Sequence, residues 1–391
     1  MNNSFHNYRN NRSQGRNRGL TRFTRDATID PSLFVKKATI ELDPVYFPKN
    51  KFSDFPLCEQ IKRNISRRGY ITPTQIQDQA MPYILEGKDV IGIAKTGTGK
   101  TAAFLIPLIN KIFLFPDKKV LIITPTRELA SQIYNELRLF SFQMPVCAVL
   151  VIGGASINRQ MNELRRNVKF IIGTPGRLKD LESRGLIHFH QYSTIVLDEV
   201  DRMLDMGFIH DIKHIISALP AERQSLCFSA TLPEEIRKLA NEFLRNPVLV
   251  TVQPGKPSAN VDQDIIRTNG KQKIEILHEL LIQEDFIKVL VFGRTKRGVE
   301  KLAKELQRRG FQVASIHGNK SQGQRQRALE EFKNNRVKIL LATDLASRGL
   351  DIEDISHVIN YDLPASYEDY IHRVGRTGRV DKKGKALTFI D

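Results

Sequence analysis

The sequence predicts an α/β protein of two domains, each a mostly parallel sheet with helices on both faces. Three observations predict it. Short β-rich apolar runs recur from about residue 52 onward. Patterns of helical period separate them, for example at Arg127–Phe140 and Pro233–Phe243. One stretch with two prolines and a glycine, Gln253–Asp262, interrupts the alternation once. Alternating strand and helix of this kind makes a parallel sheet covered on both sides.

Residues 1–25 come first and do not fit that pattern. They hold six arginines (Arg9, Arg12, Arg16, Arg18, Arg22, Arg25), no acid, and much Asn, Gly and Ser. Such a stretch buries too little apolar area to offset its chain entropy, so residues 1–36 are expected to be a disordered basic tail. Three roles stand open for it: an inert extension, a non-specific RNA-binding arm, and an organelle transit peptide. No apolar segment follows the first basic residues, which excludes a secretory signal.

The first domain is expected over residues 37–252. Its strands read as Asp89–Ile93, Val120–Thr124, Cys147–Ile152, Phe170–Gly173, Thr194–Leu197 and Ser225–Ser229. Residues 253–262 read as a linker, and the second domain as 263–391. Its strands read as Val289–Phe292, Gln312–Ile316, Val337–Ala342, His357–Asn360 and Ala386–Ile390. The chain ends at Phe389-Ile390-Asp391, and two readings stand open: the last strand is a bare sheet edge, or the sequence is a fragment. Parallel sheets bind ligands beyond the carboxyl ends of their strands, so the loops there are where chemistry is expected.

Composition narrows the partners. The 391 residues carry 60 Lys+Arg against 43 Asp+Glu, a net charge of +17, which points to a polyanion and first to nucleic acid. No apolar run reaches the roughly 18 residues of a membrane span. Cys58, Cys147 and Cys227 lie far apart and make neither a zinc spacing nor a Cys-x-x-Cys pair, so a reducing compartment is expected.

Three segments carry the chemistry. Ala94-Lys95-Thr96-Gly97-Thr98-Gly99-Lys100-Thr101 follows a strand and opens a helix, so its N–H groups are aimed at a phosphate. Lys100 reaches the β- and γ-phosphates and the Thr101 hydroxyl suits Mg²⁺. The strict phosphate-loop pattern has glycine where this chain has Ala94. Next, Ile195-Val196-Leu197-Asp198-Glu199 is an apolar strand ending in two acids. Asp198 is placed to hold Mg²⁺, and Glu199 to orient the attacking water as general base. Last, His372-Arg373-Val374-Gly375-Arg376-Thr377-Gly378-Arg379 follows Ser366, a cap for a short helix with Asp369 three residues on. His372 and Arg376 then lie one turn apart. Arg376 and Arg379 are candidates for fingers that stabilise charge on the transferring phosphoryl group.

These residues resemble those of the DEAD-box RNA helicases of helicase superfamily 2, over about Phe52 to Asp391. The resemblance also covers Phe52 with Gly69-Tyr70-Ile71-Thr72-Pro73-Thr74-Gln75-Ile76-Gln77, Pro125-Thr126-Arg127-Glu128-Leu129-Ala130, Gly153-Gly154 and Thr174-Pro175-Gly176-Arg177. Asp198-Glu199-Val200-Asp201 is the namesake motif, with valine in place of alanine, and Ser229-Ala230-Thr231 follows. In the second domain Val291–Lys296, His317-Gly318 with Gln322 and Arg325, and Ala342–Asp351 match.

The resemblance implies two RecA-like domains that close on ATP, Mg²⁺ and RNA together, and an RNA-stimulated ATPase acting as a monomer. It implies that Gln77 bonds the adenine edge, that Phe52 packs on the base and that Asp351 meets the ribose. Thr96, Gly97, Thr98 and Gly99 complete the phosphate cradle. Pro125, Thr126, Arg127, Gly153, Gly154, Thr174, Gly176 and Arg177 hold RNA phosphates and sugars, as do Thr295, Gly318 and Thr343. Asp201, Ser229, Thr231 and His372 couple hydrolysis to closure. No aromatic platform lies among the RNA segments, which favours backbone recognition without base reading. An ATP-gated RNA clamp that unwinds little and a DNA translocase remain as alternatives. The compartment expected is the cytoplasm, or an organelle if the tail is a transit peptide.

Overall fold

A computed structural model of the chain describes residues 30–38, 46–95, 97–252, 260–347, 352, 354–378 and 383–390. In the first domain the order is α1 (Glu59–Arg67), α2 (Gln75–Leu85), β1 (Val90–Ile93), α3 (Lys100–Leu114), β2 (Val120–Ile123), α4 (Arg127–Phe140), β3 (Ala148–Val151), α5 (Ile157–Leu164), β4 (Phe170–Gly173), α6 (Pro175–Ser183), β5 (Thr194–Asp198), α7 (Val200–Asp205), α8 (Ile209–Ser217), β6 (Gln224–Ser229), α9 (Glu234–Phe243) and β7 (Val248–Thr251). The second contains β8 (Val261–Arg267), α10 (Lys273–Leu281), β9 (Val289–Phe292), α11 (Lys296–Arg308), β10 (Val313–Ile316), α12 (Gln322–Lys333), β11 (Ile339–Ala342), α13 (Asp344–Ser347), β12 (His357–Asn360), α14 (Tyr367–Val374) and β13 (Gly384–Ile390).

Both sheets are parallel throughout. Their spatial orders are β3-β4-β2-β5-β6-β1-β7 and β10-β11-β9-β12-β13-β8. Along β2 the side chains alternate between two cores. Val120 and Ile122 pack under α1–α4, while Leu121 and Ile123 pack against α6–α9. The second sheet does the same: Leu290 and Phe292 enter one core, Val289 and Val291 the other. A two-residue side-chain period set in a sheet covered on both faces makes every position of these strands apolar.

The two edge strands β7 and β8 add to the strands expected from the sequence. Both are only partly buried; in β8 polar residues dilute the apolar content, whereas β7 is a short run, Val-Leu-Val-Thr, at the sheet edge. Strand β8 begins at Val261, which ends the linker at Asn260 rather than 262; residues 253–259 lie outside the described residues. Strand β13 is not a bare edge. It pairs with β12 on one side and with β8 over seven residues on the other.

The tail boundary at residue 36 is also corrected. Pro31–Phe34 form a 3-10 turn capped by the Asp30 carboxylate, which accepts from the Ser32 N–H at 2.9 Å. Phe34 is fully buried in the second domain, its ring 4.6 Å from that of Tyr370. Lys36 and Gln263 exchange two backbone hydrogen bonds of 3.0 and 2.8 Å, and the Ala38 N–H donates to Asp262 at 2.8 Å. The driving force is burial of one phenyl ring, which a search for periodic elements overlooks. Residues 1–29 lie outside the described residues.

Candidate nucleotide and RNA site

The sheet order brings the nucleotide segments together. Strand β6 lies between β5 and β1, with Ile93 beside Ser229 and Asp198 beside Phe228. The loops leaving these strands therefore open at one place, although those after β1 and β5 are over 100 residues apart in sequence.

The loop after β1 turns through Gly97 (φ 87°) and Gly99 (φ 93°) into α3. At Gly99 a side chain is excluded twice, since that φ is left-handed and a Cβ would lie 2.4 Å from Gln77 Nε2. The Lys100 ammonium is buried within the loop and donates to the Ala94 carbonyl at 2.7 Å. Thr98 Oγ1 donates to the Lys95 carbonyl at 2.7 Å. Thr101 follows Lys100 in the first turn of α3. Thr96 lies outside the described residues, as do Asp351 and Arg379.

Gln77, to which the resemblance gives the adenine-reading role, lies against the phosphate loop. Its side chain is buried, Oε1 accepts from the Thr74 N–H at 2.9 Å, and Nε2 donates to the Gly99 carbonyl at 3.1 Å. In this structure it closes the cap of α2 and braces the phosphate loop. Phe52 is likewise enclosed, at 5% exposure, edge-on to Phe55 and Tyr70. Both side chains pack within the first domain, next to the loop that enters α3 in the case of Gln77.

At the end of β5, burial pushes the Asp198 carboxyl up to about 7. Lys100 opposes that shift and Glu199 adds to it. Asp198 Oδ1 accepts from the Glu199 N–H at 3.0 Å. Glu199 is a non-glycine residue in the left-handed region (φ 54°, ψ 53°), a strained turn that starts α7. Its carboxylate meets Arg202 at 2.6 Å, and both side chains are buried. Arg202 is absent from the residues that sequence reasoning singles out; the Glu-x-x-Arg spacing at the start of a helix is the available signal. Val200 is fully buried, so it changes packing alone.

The coupling residues of the first domain form one network. Asp201 Oδ2 accepts from the N–H groups of Ala230 and Thr231, at 3.0 and 3.1 Å, and from Thr231 Oγ1 at 3.3 Å. The Asp201 N–H in turn donates to Ser229 Oγ at 3.4 Å. A shift of α7 must therefore move the loop after β6.

The RNA segments occupy equivalent places in the two domains. Pro125, Thr126 and Arg127 follow β2, Gly153 and Gly154 follow β3, and Thr174, Gly176 and Arg177 follow β4. Thr295, Gly318 and Thr343 follow β9, β10 and β11, three neighbouring strands of the second sheet. Thr126 and Thr295 cap α4 and α11, accepting from Leu129 and Gly298 N–H at 3.3 and 3.0 Å. The Arg127 guanidinium lies over Gly153 and Gly154; a Cβ on Gly154 would come 2.2 Å from it. Arg177 is held by Gln160 Oε1 at 3.3 Å and the Ala155 carbonyl at 3.4 Å. Across the domains, Glu128 pairs with Arg325 at 2.9 Å and accepts from Gln322 at 3.3 Å. These three belong to motifs read in the sequence, but that they meet is not legible there.

Ser366 caps α14, accepting from the Asp369 N–H at 3.0 Å. The helix ends at Val374, and a further turn, with the Arg376 N–H donating to the Arg373 carbonyl at 3.1 Å, carries the chain through Gly375 to Arg376. Arg373 is the brace of this motif. Fully buried, it grips both oxygens of Asp344 (2.5 and 2.7 Å), Asn360 and the Asp362 carbonyl. Arg376 is buried just after it.

Among the described residues, no group of three or more His, Cys, Asp and Glu forms a metal site, and no helix is long and apolar enough to cross a membrane. A phosphate loop, a strand-end acid pair and two matched rows of backbone-binding segments define a two-domain helicase. Residues 74–239 match the DEAD/DEAH box helicase family, and residues 272–381 match the helicase conserved C-terminal domain. The chain belongs to the DEAD-box family of ATP-dependent RNA helicases. It is 44% identical to CshA of Listeria monocytogenes over 87% of its own length and 66% of CshA. It is 44% identical to vasa of Drosophila melanogaster over 88% of its length and 53% of vasa. The chain thus spans about two thirds or less of the length of these two relatives. Among solved structures, S. cerevisiae Dbp5 bound to RNA and ADP BeF3 superposes with a TM-score of 0.76 at 28% identity, covering 87% of this chain and 89% of that one. A DEAD box protein of Methanococcus jannaschii is 38% identical, with a TM-score of 0.51 over 87% and 93% of the two chains.

Proposed function

We propose that the protein grips RNA by its sugar-phosphate backbone and uses ATP binding and hydrolysis to separate short duplexes locally, acting as a monomer. The observation that carries this reading is the paired row of strand-end segments, bridged across the domains by Glu128 and Arg325. The row offers hydroxyls, N–H groups and arginines, which suit phosphate and ribose rather than base edges. Lys100 balances phosphate charge, and Glu199, held by Arg202, takes the proton of the attacking water. Thr101 and Asp198 are the residues that would hold Mg²⁺, and a buried carboxylate pushed up to about 7 is one that a cation would stabilise in its charged form. When bound, the ion supplies positive charge to the phosphate oxygens. Arg376 stabilises charge on the transferring group after closure. Three free cysteines support a reducing, cytoplasmic setting.

Closure bends one strand and opens a few pairs, and the remaining pairs melt thermally. Each step contributes on the order of 1.4 kcal/mol in DNA, with RNA of similar size, so each added pair slows release roughly tenfold. The test is strand displacement with duplexes of increasing length and 5′, 3′ or blunt ends. Steep length dependence with little effect of overhang polarity is expected. Processive unwinding from one polarity supports a translocase instead, and ATP-dependent RNA retention without displacement supports a clamp.

A further inference from the structure

The carboxyl ends of the first sheet carry the nucleotide and RNA segments; the opposite ends carry a feature with no part in them. Lys119 directly precedes β2, Val168 lies just before β4, and Tyr192 just before β5. These are three neighbouring strands, β4-β2-β5. Their entry loops are tied together by backbone bonds from Val120 N–H to the Lys169 carbonyl (2.8 Å) and from Thr194 N–H to the Lys119 carbonyl (3.3 Å). Between them lies a cavity of about 260 Å³ whose polar lining is Lys119, Arg165, Arg166, His188, Gln191 and Tyr192. Among the described residues, no carboxylate lines it.

Among the described residues, Lys119, Arg165 and Arg166 make no ion pair. Asp117 pairs with Lys118 at 3.8 Å, Glu163 pairs with Arg159 at 2.8 Å, and Arg165 donates to the neutral Asn162 Oδ1 at 3.5 Å. The Lys119 ammonium donates to Gln191 Oε1 at 2.6 Å, a neutral partner. Burial and the neighbouring Lys169 hold Lys119 below its ordinary proton affinity, as expected where like charges crowd. The His188 ring has another imidazole, His190, 5.8 Å away. A water occupies about 30 Å³ in the liquid, so the cavity has room for a phosphate group. Tyr192 is buried and offers no stacking face, which leaves charge rather than base shape as the means of recognition.

We propose that this basal pocket is an auxiliary anion site that takes the phosphate backbone of RNA extending beyond the helicase cleft. It lies a strand's length or more from the other RNA segments, since β2 alone spans about 13 Å. A short RNA filling the cleft therefore does not reach it, and a longer one that follows the surface of the first domain does. The site anchors flanking RNA while the two domains open and close on the segment being separated.

The experiment uses the full chain with Arg165→Glu and Arg166→Glu together, both exposed, and separately with Lys119→Gln. Circular dichroism checks the fold. Binding is measured by fluorescence anisotropy over a salt series, with single-stranded RNAs of about 8 and about 30 nucleotides. For the longer RNA, affinity falls about tenfold and the slope of log K against log salt flattens by about 0.7 for each phosphate that is no longer neutralised. Affinity for the short RNA and RNA-saturated kcat stay as in wild type. Equal losses for both lengths mean a general field effect and overturn the site, as does unchanged binding of the long RNA. Loss of binding to an acidic or phosphorylated peptide, with RNA binding intact, assigns the pocket to a protein partner and also overturns the proposal.

Discussion

Replacing Asp198 by asparagine is expected to stabilise the ligand-free protein while ending turnover. Burial moves this carboxyl from 3.8 to about 7. Between those values the folded state keeps a proton that the unfolded chain has released, so stability falls as pH rises through that window and is lowest above it. At about 1.4 kcal/mol per tenfold change in proton affinity, the whole move amounts to roughly 4 kcal/mol. Asparagine copies the neutral form and escapes that loss. In a domain of this size, 1 kcal/mol corresponds to about 2–4 °C, so a Tm increase on the order of 10 °C is expected at about pH 8.5. About half of the advantage disappears by about pH 5.5, where the wild-type carboxyl is protonated too. Differential scanning calorimetry at the two pH values measures it. Adding Mg²⁺ and ATP should raise the wild-type Tm more than that of Asp198→Asn, because the cation needs the carboxylate. A variant that is destabilised at the higher pH, or whose difference from wild type ignores pH, would refute the reasoning.

Arg202→Met should lower kcat by about 10–100-fold with little change in the KM for ATP, because Glu199 loses the cation that fixes it; Arg202→Lys should recover part, and steady-state kinetics decide. Asp201→Asn should reduce duplex separation more than ATP turnover, since three hydrogen bonds to Ala230 and Thr231 converge on that carboxylate; an equal loss of both rates would contradict the coupling role. Phe34→Ala should destabilise the second domain by about 3–5 kcal/mol, seen as a lowered unfolding transition, because it empties a filled site against Tyr370. Glu300 receives His317 (3.0 Å), Ser315 (2.9 Å) and Lys320 (3.0 Å) beneath the Gly318 turn. Glu300→Gln should therefore raise the RNA concentration for half-maximal ATPase several-fold at unchanged saturated kcat, and an unaltered RNA titration speaks against that support.

Much of the protein is legible in its sequence because the signals are local. A strand, a glycine-bearing turn and a helix N-terminus follow one another directly, as in Val90–Leu114, and φ requirements at Gly97 and Gly99 belong to the backbone itself. Interior strands declare themselves by continuous apolar runs, with bounds within two residues of those observed. The order of the helicase motifs does the rest. What the tertiary structure alone decides depends on which strands become neighbours. Edge strand β8 carries Asp262, Gln263, Asp264 and Arg267 and reads as polar, so β13 reads as a border that it is not. The turn of Gln77 into the Gly99 carbonyl, the grip of Arg373 on Asp344 and the meeting of Glu128 with Arg325 join residues 22, 29 and 197 positions apart. No periodicity links such pairs, because a side chain's partner across a fold is set by the packing of whole elements and not by spacing along the chain. The basal pocket follows the same rule: its cations come from the entry loops of strands that only the sheet order makes adjacent.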